Sequence, residues 1–589
     1  MRLKRDSRRL VETALGNRPA DTVIRDGVLM DVYTGRLLPH RSVALKDKWI
    51  VYVGPDAGHT IGENTKVIEA NNRVICPGYI DAHTHLAAYW NIADFLAYAI
   101  PSGTTTFITE VEAYGFVSGA EGIKAFLDQI EDRPAKIFAL IPPMISLSPA
   151  VETLFISADE TKRLLRDPRV IGLGESFWQG VILTPENRVL KLIQETLEAG
   201  KSVQGHAAGA FNKNLAAYIA TGVQSCHEAI STDDVLSRLE QGLYAMIREG
   251  DIRRDLEIIL PLKNSIDLRR VILVTDGTNP GDLIQRGYLL DVVQKAIDMG
   301  FSPIEAVQMV TLNPAEHLGL DHLIGGIAPG RYADILLLPQ PGIMKPELVI
   351  SNGRIVAEDG RMTVEIQETP YPDNILKTVK VNPISPSDLA IPVEYANKVD
   401  SICIIDIQPG GLVTRERQTT PKIADGQYVA DPERDLLKIT CVERLSGRGE
   451  RFTGFIRGWG QKKGAVATTL CWDAGCIVAI GANDHDLATA INRVIELQGG
   501  TVISVDNASL LEIPLNVGGF ISQLKIPDIA SRLENFQKTM SSLGSRLPFA
   551  HLSLNVLTTA AIPFIRITEK GYYRFREKDV VTLHSVCPN

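Results

Sequence analysis

Two histidines one residue apart close the run Pro77-Gly-Tyr-Ile-Asp-Ala-His-Thr-His85. On an extended strand, residues two apart face the same side, so His83 and His85 can present both imidazoles to one point in space. Taken alone, the pair reads first as two satisfied histidines at a strand end. Four other residues change that weighting: His206 in Gln204-Gly-His-Ala-Ala-Gly209, His227 in Ser225-Cys-His-Glu228, Glu175 closing Gly172-Leu-Gly-Glu175, and Asp276 closing Val274-Thr-Asp276. Each ends, or just follows, a short apolar run. Four imidazoles and two carboxylates suffice for two divalent ions, with a carboxylate bridging them and a water or hydroxide in the open position. Without ions, two acids would stand unpaired at buried strand ends, which is costly.

The elements that must position these residues can be read in the same way. Apolar runs at Tyr79 to His83, Thr104 to Glu110, Lys136 to Ile141, Val170 to Glu175, Ser202 to His206, Val223 to His227, Leu243 to Arg248 and Val271 to Asp276 alternate with helical stretches. That alternation predicts a parallel sheet of βαβ units, and eight strands are the count of a (β/α)8 barrel, whose active sites sit at the carboxyl ends of the strands.

Two segments far apart in the chain, Asp21-Thr-Val-Ile-Arg-Asp-Gly27 with its continuation and Glu347-Leu-Val-Ile-Ser-Asn-Gly353 with its continuation, each read as strands joined by a glycine-containing hairpin. Together they predict one small β-sandwich around the barrel. A Pro-rich stretch, Glu368 to Asp373 and Asn382 to Pro386, reads as a linker to a third, α+β domain, with a helix from about Asp486 to Leu497 stopped by Gly499-Gly500. The residues of that domain show no chemical motif of their own. The expected boundaries are 1–76 plus 327–366 for the β-sandwich, 77–326 for the barrel and 387–589 for the third domain.

Composition excludes several classes. In 589 residues, 45% hydrophobic and 22% charged content is ordinary for a globular chain, and a net charge of −9 gives no field to attract nucleic acid. No run is long and apolar enough to span a membrane. The basic start, Met1 to Arg9, reads as the solvated face of an amphipathic helix. The seven cysteines (Cys76, Cys226, Cys403, Cys441, Cys471, Cys476 and Cys587) are odd in number and scattered, which points to a reducing, cytoplasmic compartment. Cys471 and Cys476 read as buried small hydrophobes.

The strand-end His-x-His followed in order by Glu, His, His and Asp resembles the amidohydrolase superfamily, and the wider pattern resembles its adenine deaminase family. The likeness runs through Gly103-Thr-Thr-Thr106, Gly242-Leu-Tyr-Ala-Met-Ile-Arg-Glu-Gly250, Leu312-Asn-Pro-Ala-Glu316, Ile327-Ala-Pro-Gly-Arg-Tyr-Ala-Asp334 and Gly454-Phe-Ile-Arg-Gly-Trp-Gly460, so it covers nearly the whole chain. The resemblance implies His83, His85, a bridging Glu175, His206, His227 and Asp276 as ligands to two divalent ions, manganese first, with iron or zinc as alternatives. It implies conversion of adenine and water to hypoxanthine and ammonia in purine salvage, by a homo-oligomer acting on a free purine base. Asp276 would shuttle the proton of the attacking water, and Glu110, Glu112 and Glu228 are the candidates for protonating the ring nitrogen. Arg248 either orients the substrate or pairs with Glu249 or another neighbour.

The chain departs from the family pattern around the six ligands. Leu86-Ala-Ala-Tyr-Trp90 replaces an Ile-Glu-Ser-Ser type of run, Glu110-Val-Glu-Ala113 an Asp-Pro-His-Glu, Thr275-Asp-Gly277 a Thr-Asp-Asp, and Trp472-Asp-Ala-Gly-Cys476 a His-Asp-Ser-His-Asn type of run. The ligand set stays while pocket positions change, so metal-assisted hydrolysis is expected to persist, and substrate choice turns on the altered pocket. Other readings are a hydrolase of a different aminopurine, cyclic amide or N-acyl bond, and a metal-holding paralogue without activity.

Overall fold

The computed structural model describes residues 6–183, 188–393, 401–562 and 564–585. Its centre is a ring of eight parallel strands: β1 (Tyr79–Thr84), β2 (Thr104–Glu110), β3 (Lys136–Ile141), β4 (Val170–Phe177), β5 (Ser202–His206), β6 (Ser225–Cys226), β7 (Tyr244–Arg248) and β8 (Val271–Val274). They pair in sequence order from β1 to β8. The seam between β8 and β1 is closed by groups just beyond the ladder: the Asp276 N–H donates to the His83 carbonyl at 3.1 Å, and the Thr275 hydroxyl donates to Asp81 Oδ2 at 2.6 Å. Helices such as Thr232–Glu240 and Leu289–Asp298 alternate with the strands, and their buried faces (Val235; Leu289, Val292, Val293) cover the sheet as an amphipathic crossover helix must.

A second, nine-stranded sheet is built from both flanks of the barrel. Ile335–Leu338 pairs antiparallel with Val74–Pro77, which leads directly into β1. Ile24, Val43, Leu45, Ile50, Ile75, Ile335, Leu337 and Ile350 share one core, so strands from both ends of the sheet order curl around it. The expected hairpin at Gly27 is not there: Thr22–Asp31 is one strand, irregular between Ile24 and Leu29. Asp26 takes φ 52°, and a Cβ on Gly27 would stand 2.6 Å from the Ile75 side chain, so the Asp-Gly pair makes a bulge against a close neighbour instead of a turn. The matching pair Asn352-Gly353, with φ 51° and 75°, does turn the chain between Leu348–Ser351 and Arg354–Glu358.

The C-terminal region forms an eight-stranded mixed sheet, whose helix Asp484–Glu496 is capped by the Asn483 side chain. The Pro-rich connection before it is not a loose linker. Arg133 of the barrel holds it through the Gln367 carbonyl and, at 2.8 Å, the Thr369 hydroxyl; Ile375 is buried; and the Ile384 N–H donates to Asn492 at 2.7 Å. Proline favours an extended backbone but does not forbid packing, and here its flanking apolar residues find a surface. A second strap crosses the barrel mouth. Tyr89, at φ 69°, donates its N–H to the Phe520 carbonyl at 2.9 Å and accepts from the Ser522 N–H at 2.8 Å, while its hydroxyl lies 3.1 Å from His551 Nδ1. No helix among the described residues is long and apolar enough to cross a membrane.

Candidate metal centre and substrate cavity

The strand ends bring the six predicted residues to one place. His83 lies within β1 and His85 just past it, Glu175 within β4, His206 ends β5, His227 follows β6 by one residue, and Asp276 follows β8 by two. Glu175 Oε1 is 3.2 Å from His83 Nε2, 3.2 Å from His85 Nε2 and 3.4 Å from His227 Nε2, and its Oε2 is 3.2 Å from His206 Nδ1. Asp276 Oδ1 is 3.2 and 3.3 Å from the same nitrogens of His83 and His85. These contacts resolve into two groups that could each hold a divalent ion: His83, His85, Glu175 and Asp276; and Glu175, His206 and His227. Glu175 belongs to both.

The donor set fits metal ions on its own chemistry. His83 Nε2 and both ring nitrogens of His206 make no well-formed hydrogen bond among the described residues, although carboxylates lie nearby; an ion could engage one nitrogen of each ring, and a buried nitrogen left unsatisfied costs about 1–3 kcal/mol. The other nitrogen of each ring of the first pair is oriented: His83 Nδ1 faces Gln204 Oε1 at 3.1 Å, and His85 Nδ1 faces Glu112 Oε1 at 2.9 Å. This is how a metal-bound imidazole is usually held. Sequence reading missed Gln204, although it lies two residues before His206 on the same strand and therefore shares its inward face.

Electrostatics follow the packing. Burial opposes ionisation of Glu175, but the surrounding imidazoles, His227 foremost, hold it well below the usual carboxylate range. Asp276 is likewise held well below its usual range, against burial, by His83 and His85. The His227 ring stacks on His83 with centroids 4.0 Å apart, and burial together with that neighbour pushes it well below the usual imidazole range, the direction that favours metal binding.

The three candidate acids are placed differently. Glu228 lines the cavity 3.8 Å from His206 and 3.6 Å from His227 and is hydrogen-bonded by Arg248. Glu112 spends one oxygen on His85. Glu110 accepts the Glu175 N–H at 3.1 Å, and burial and then the Glu175 charge push it well above its usual range. A Cβ at residue 174 would come within 1.9 Å of Glu110 Oε2, so any larger residue there would have to displace the Glu110 carboxylate. Arg248 pairs with Glu228, with Asp276 at 3.4 Å and with Asp255 at 3.2 Å; Glu249 instead meets Lys295 at 2.6 Å.

The cluster lies at the floor of a cavity of about 360 Å³, mostly apolar in lining, of the size class that takes small molecules. Its far wall comes from the C-terminal region, including Arg444, Cys471, Trp472, Asp473, Phe520 and Asn555. The region in which the sequence shows no chemical motif therefore forms part of the site. Cys476 is buried, as expected, but Cys471 is only partly so and faces the cavity; Cys587 lies outside the described residues.

A parallel eight-stranded barrel with a His/Glu/Asp cluster at its carboxyl face is the arrangement of a metal-dependent amidohydrolase, and residues 74–356 match the model of the Amidohydrolase family. Residues 411–579 match the adenine deaminase C-terminal domain. The chain is 35% identical over 586 residues to a protein named adenine deaminase from Moorella thermoacetica, covering 98% of both chains. It is 33% identical over 584 residues to one of the same name from Rubrobacter xylanophilus, covering 97% of this chain and 96% of that one. The chain belongs to the adenine deaminase family.

Proposed function

We propose that this protein hydrolyses the exocyclic C–N bond of adenine, giving hypoxanthine and ammonia, as a two-metal aminohydrolase of purine salvage. The observation that carries this reading is that two potential ion sites share Glu175 in a cavity of small-molecule size. His83, His85, Glu175 and Asp276 would hold one ion and Glu175, His206 and His227 the other, with manganese our first assignment and iron or zinc the alternatives; such ions supply a hydrolytic nucleophile by lowering the pKa of a water towards about 7.

The chain's own groups supply the rest. Asp276 keeps Oδ1 against His83 and His85 and Oδ2 towards Arg248, which places a fixed carboxylate to accept the proton of the attacking water and return it to the departing ammonia. Glu228 is our assignment for protonating the ring nitrogen, since it faces the cavity beside both His206 and His227 and is steadied by Arg248. Glu112 and Glu110 then act on position, the first on His85 and the second on the Glu175 backbone. The apolar lining excludes bulk water and strengthens each of these interactions.

The same reading divides the chain at 1–76 with 327–366, 77–326 and 387–589, and has it work as a homo-oligomer in the cytoplasm. The six described cysteines are free thiols, which fits a reducing compartment. The test is metal analysis of the purified protein followed by an ammonia-release assay on adenine, other aminopurines, cyclic amides and N-acyl amines. Two ions per chain and stoichiometric hypoxanthine are expected, and His83→Ala should lose both. Acetate, a ring-opened acid, or inert protein holding two ions would refute the proposal.

A further inference from the structure

The cavity wall beyond the barrel holds ionisable groups that the chemistry above does not use, and Asp473 is the carboxylate among them. Asp473 stands at φ 58°, a left-handed conformation that Asp tolerates better than most residues. Its Oδ2 accepts from the Thr559 hydroxyl and, at 3.0 Å, from the Ala560 N–H. Thr559 Oγ1 itself accepts the Ala561 N–H at 3.0 Å, which leaves its proton to point at Asp473. The backbone on both sides is fastened. The Trp472 N–H donates to the Asn555 carbonyl at 3.1 Å, the Thr558 hydroxyl donates to the Trp472 carbonyl at 2.7 Å, and Ser146 of the barrel donates to the Asp473 carbonyl. The carboxylate is therefore fixed in direction before anything binds.

Its second oxygen is left over. Asp473 Oδ1 receives no hydrogen bond from any described residue, and no Lys or Arg pairs with Asp473 among them. Burial pushes this carboxyl up to about 7, with the charges of Glu175 and Glu112 adding to it against the Thr559 hydrogen bond. Asp473 lines the cavity, so Oδ1 stands as a free acceptor for a ligand that brings a donor. The substrate has few donors to bring. Adenine carries N–H bonds only on its amino group, which must face the cluster because it departs, and on its five-membered ring.

Resting on the proposed deamination, we propose that Asp473 is a specificity-determining residue that accepts, through Oδ1, the N–H of the substrate's five-membered ring. A base alkylated or ribosylated on that nitrogen loses the donor and sets bulk against a carboxylate that cannot withdraw. The site thereby selects free bases over nucleosides.

Unsubstituted purine, whose one N–H is on the five-membered ring, is the probe, titrated against the metal-loaded protein with Trp472 fluorescence or heat as the readout, beside its 7-methyl and 9-methyl isomers. Wild type should bind at least one methyl isomer about 10- to 100-fold more weakly than purine, the range for a hydrogen bond to a charged group. Asp473→Asn, with metal content and melting temperature unchanged, should weaken purine by a similar factor and lose the discrimination. The inference is overturned if wild type binds all three alike, or if the variant lowers all three affinities equally or none. Ammonia release from adenine by wild type is scored separately: its absence refutes the deaminase reading itself, whereas its presence with no methyl discrimination refutes only the role of Asp473.

Discussion

Replacing Glu175 by Gln tests the centre most directly, because the substitution keeps the side chain's shape and removes one charge from a group common to both potential ion sites. The wild-type carboxylate faces four imidazole nitrogens at 3.2 to 3.4 Å. At such a separation and an effective dielectric constant of ~20, a unit charge interacts with another by about 5 kcal/mol, and with a divalent ion by more. If half of that survives the offsetting change in desolvation, ion affinity falls by about 10²-fold. Glu175→Gln protein should therefore carry at most one ion per chain by elemental analysis after dialysis, and its ammonia release should fall by at least about 10²-fold. Circular dichroism should match wild type, since the strand and its neighbours keep their packing. A variant that kept two ions and turned over within tenfold of wild type would refute the reading in which Glu175 is shared between the two ion sites.

Two further substitutions test how the surrounding structure holds the site. His551 is buried between Tyr89, Thr501 and Phe536, and burial depresses its pKa to about 4. A base with a lowered folded pKa binds more protons unfolded, so the stability it supports is lost as pH falls from about 6.5 to about 4, up to about 3 kcal/mol; urea midpoints measured across that window should show this slope, and His551→Gln should flatten it. Asp334, at 2.7 Å from Lys136 and accepting the Asn352 N–H at 3.0 Å, ties β3 to the nine-stranded sheet in a buried ion pair. Asp334→Leu should cost about 3–5 kcal/mol in denaturant unfolding by stranding the lysine, while leaving the metal content of the folded protein at two ions; an unchanged midpoint would show that the pair contributes nothing.

What the sequence discloses and what it conceals divide along physical lines. The barrel strands are legible because each is a short apolar run ending in a polar residue, and His83, His85, Glu175, His206, His227 and Asp276 all meet at their carboxyl ends in the structure. Gly27 misleads because an Asp-Gly pair serves equally for a turn or a bulge, and only the contact with Ile75 decides between them. The Pro-rich stretch misleads because composition reports backbone preference and not the surface that Arg133 and Asn492 offer it. Arg248 is ambiguous in sequence because its partners Glu228, Asp255 and Asp276 come from three different loops. Asp473 is the hardest to read. A lone acceptor fixed by Thr559 and Ala560 leaves no spacing pattern, unlike ligands that must converge on an ion.

The stitching of Asp473 to Thr559 and Ala560 also bears on how the protein comes into being. On the ribosome, every residue of the His/Glu/Asp cluster is synthesised by Asp276, whereas the wall that faces it is fastened only when Thr559 emerges. A nascent chain thus passes through a long interval in which the barrel can fold and its ion sites stand open to the surrounding solution. If ions are held as proposed, they can be loaded through an unobstructed mouth before the last part of the chain adds the far wall of the cavity.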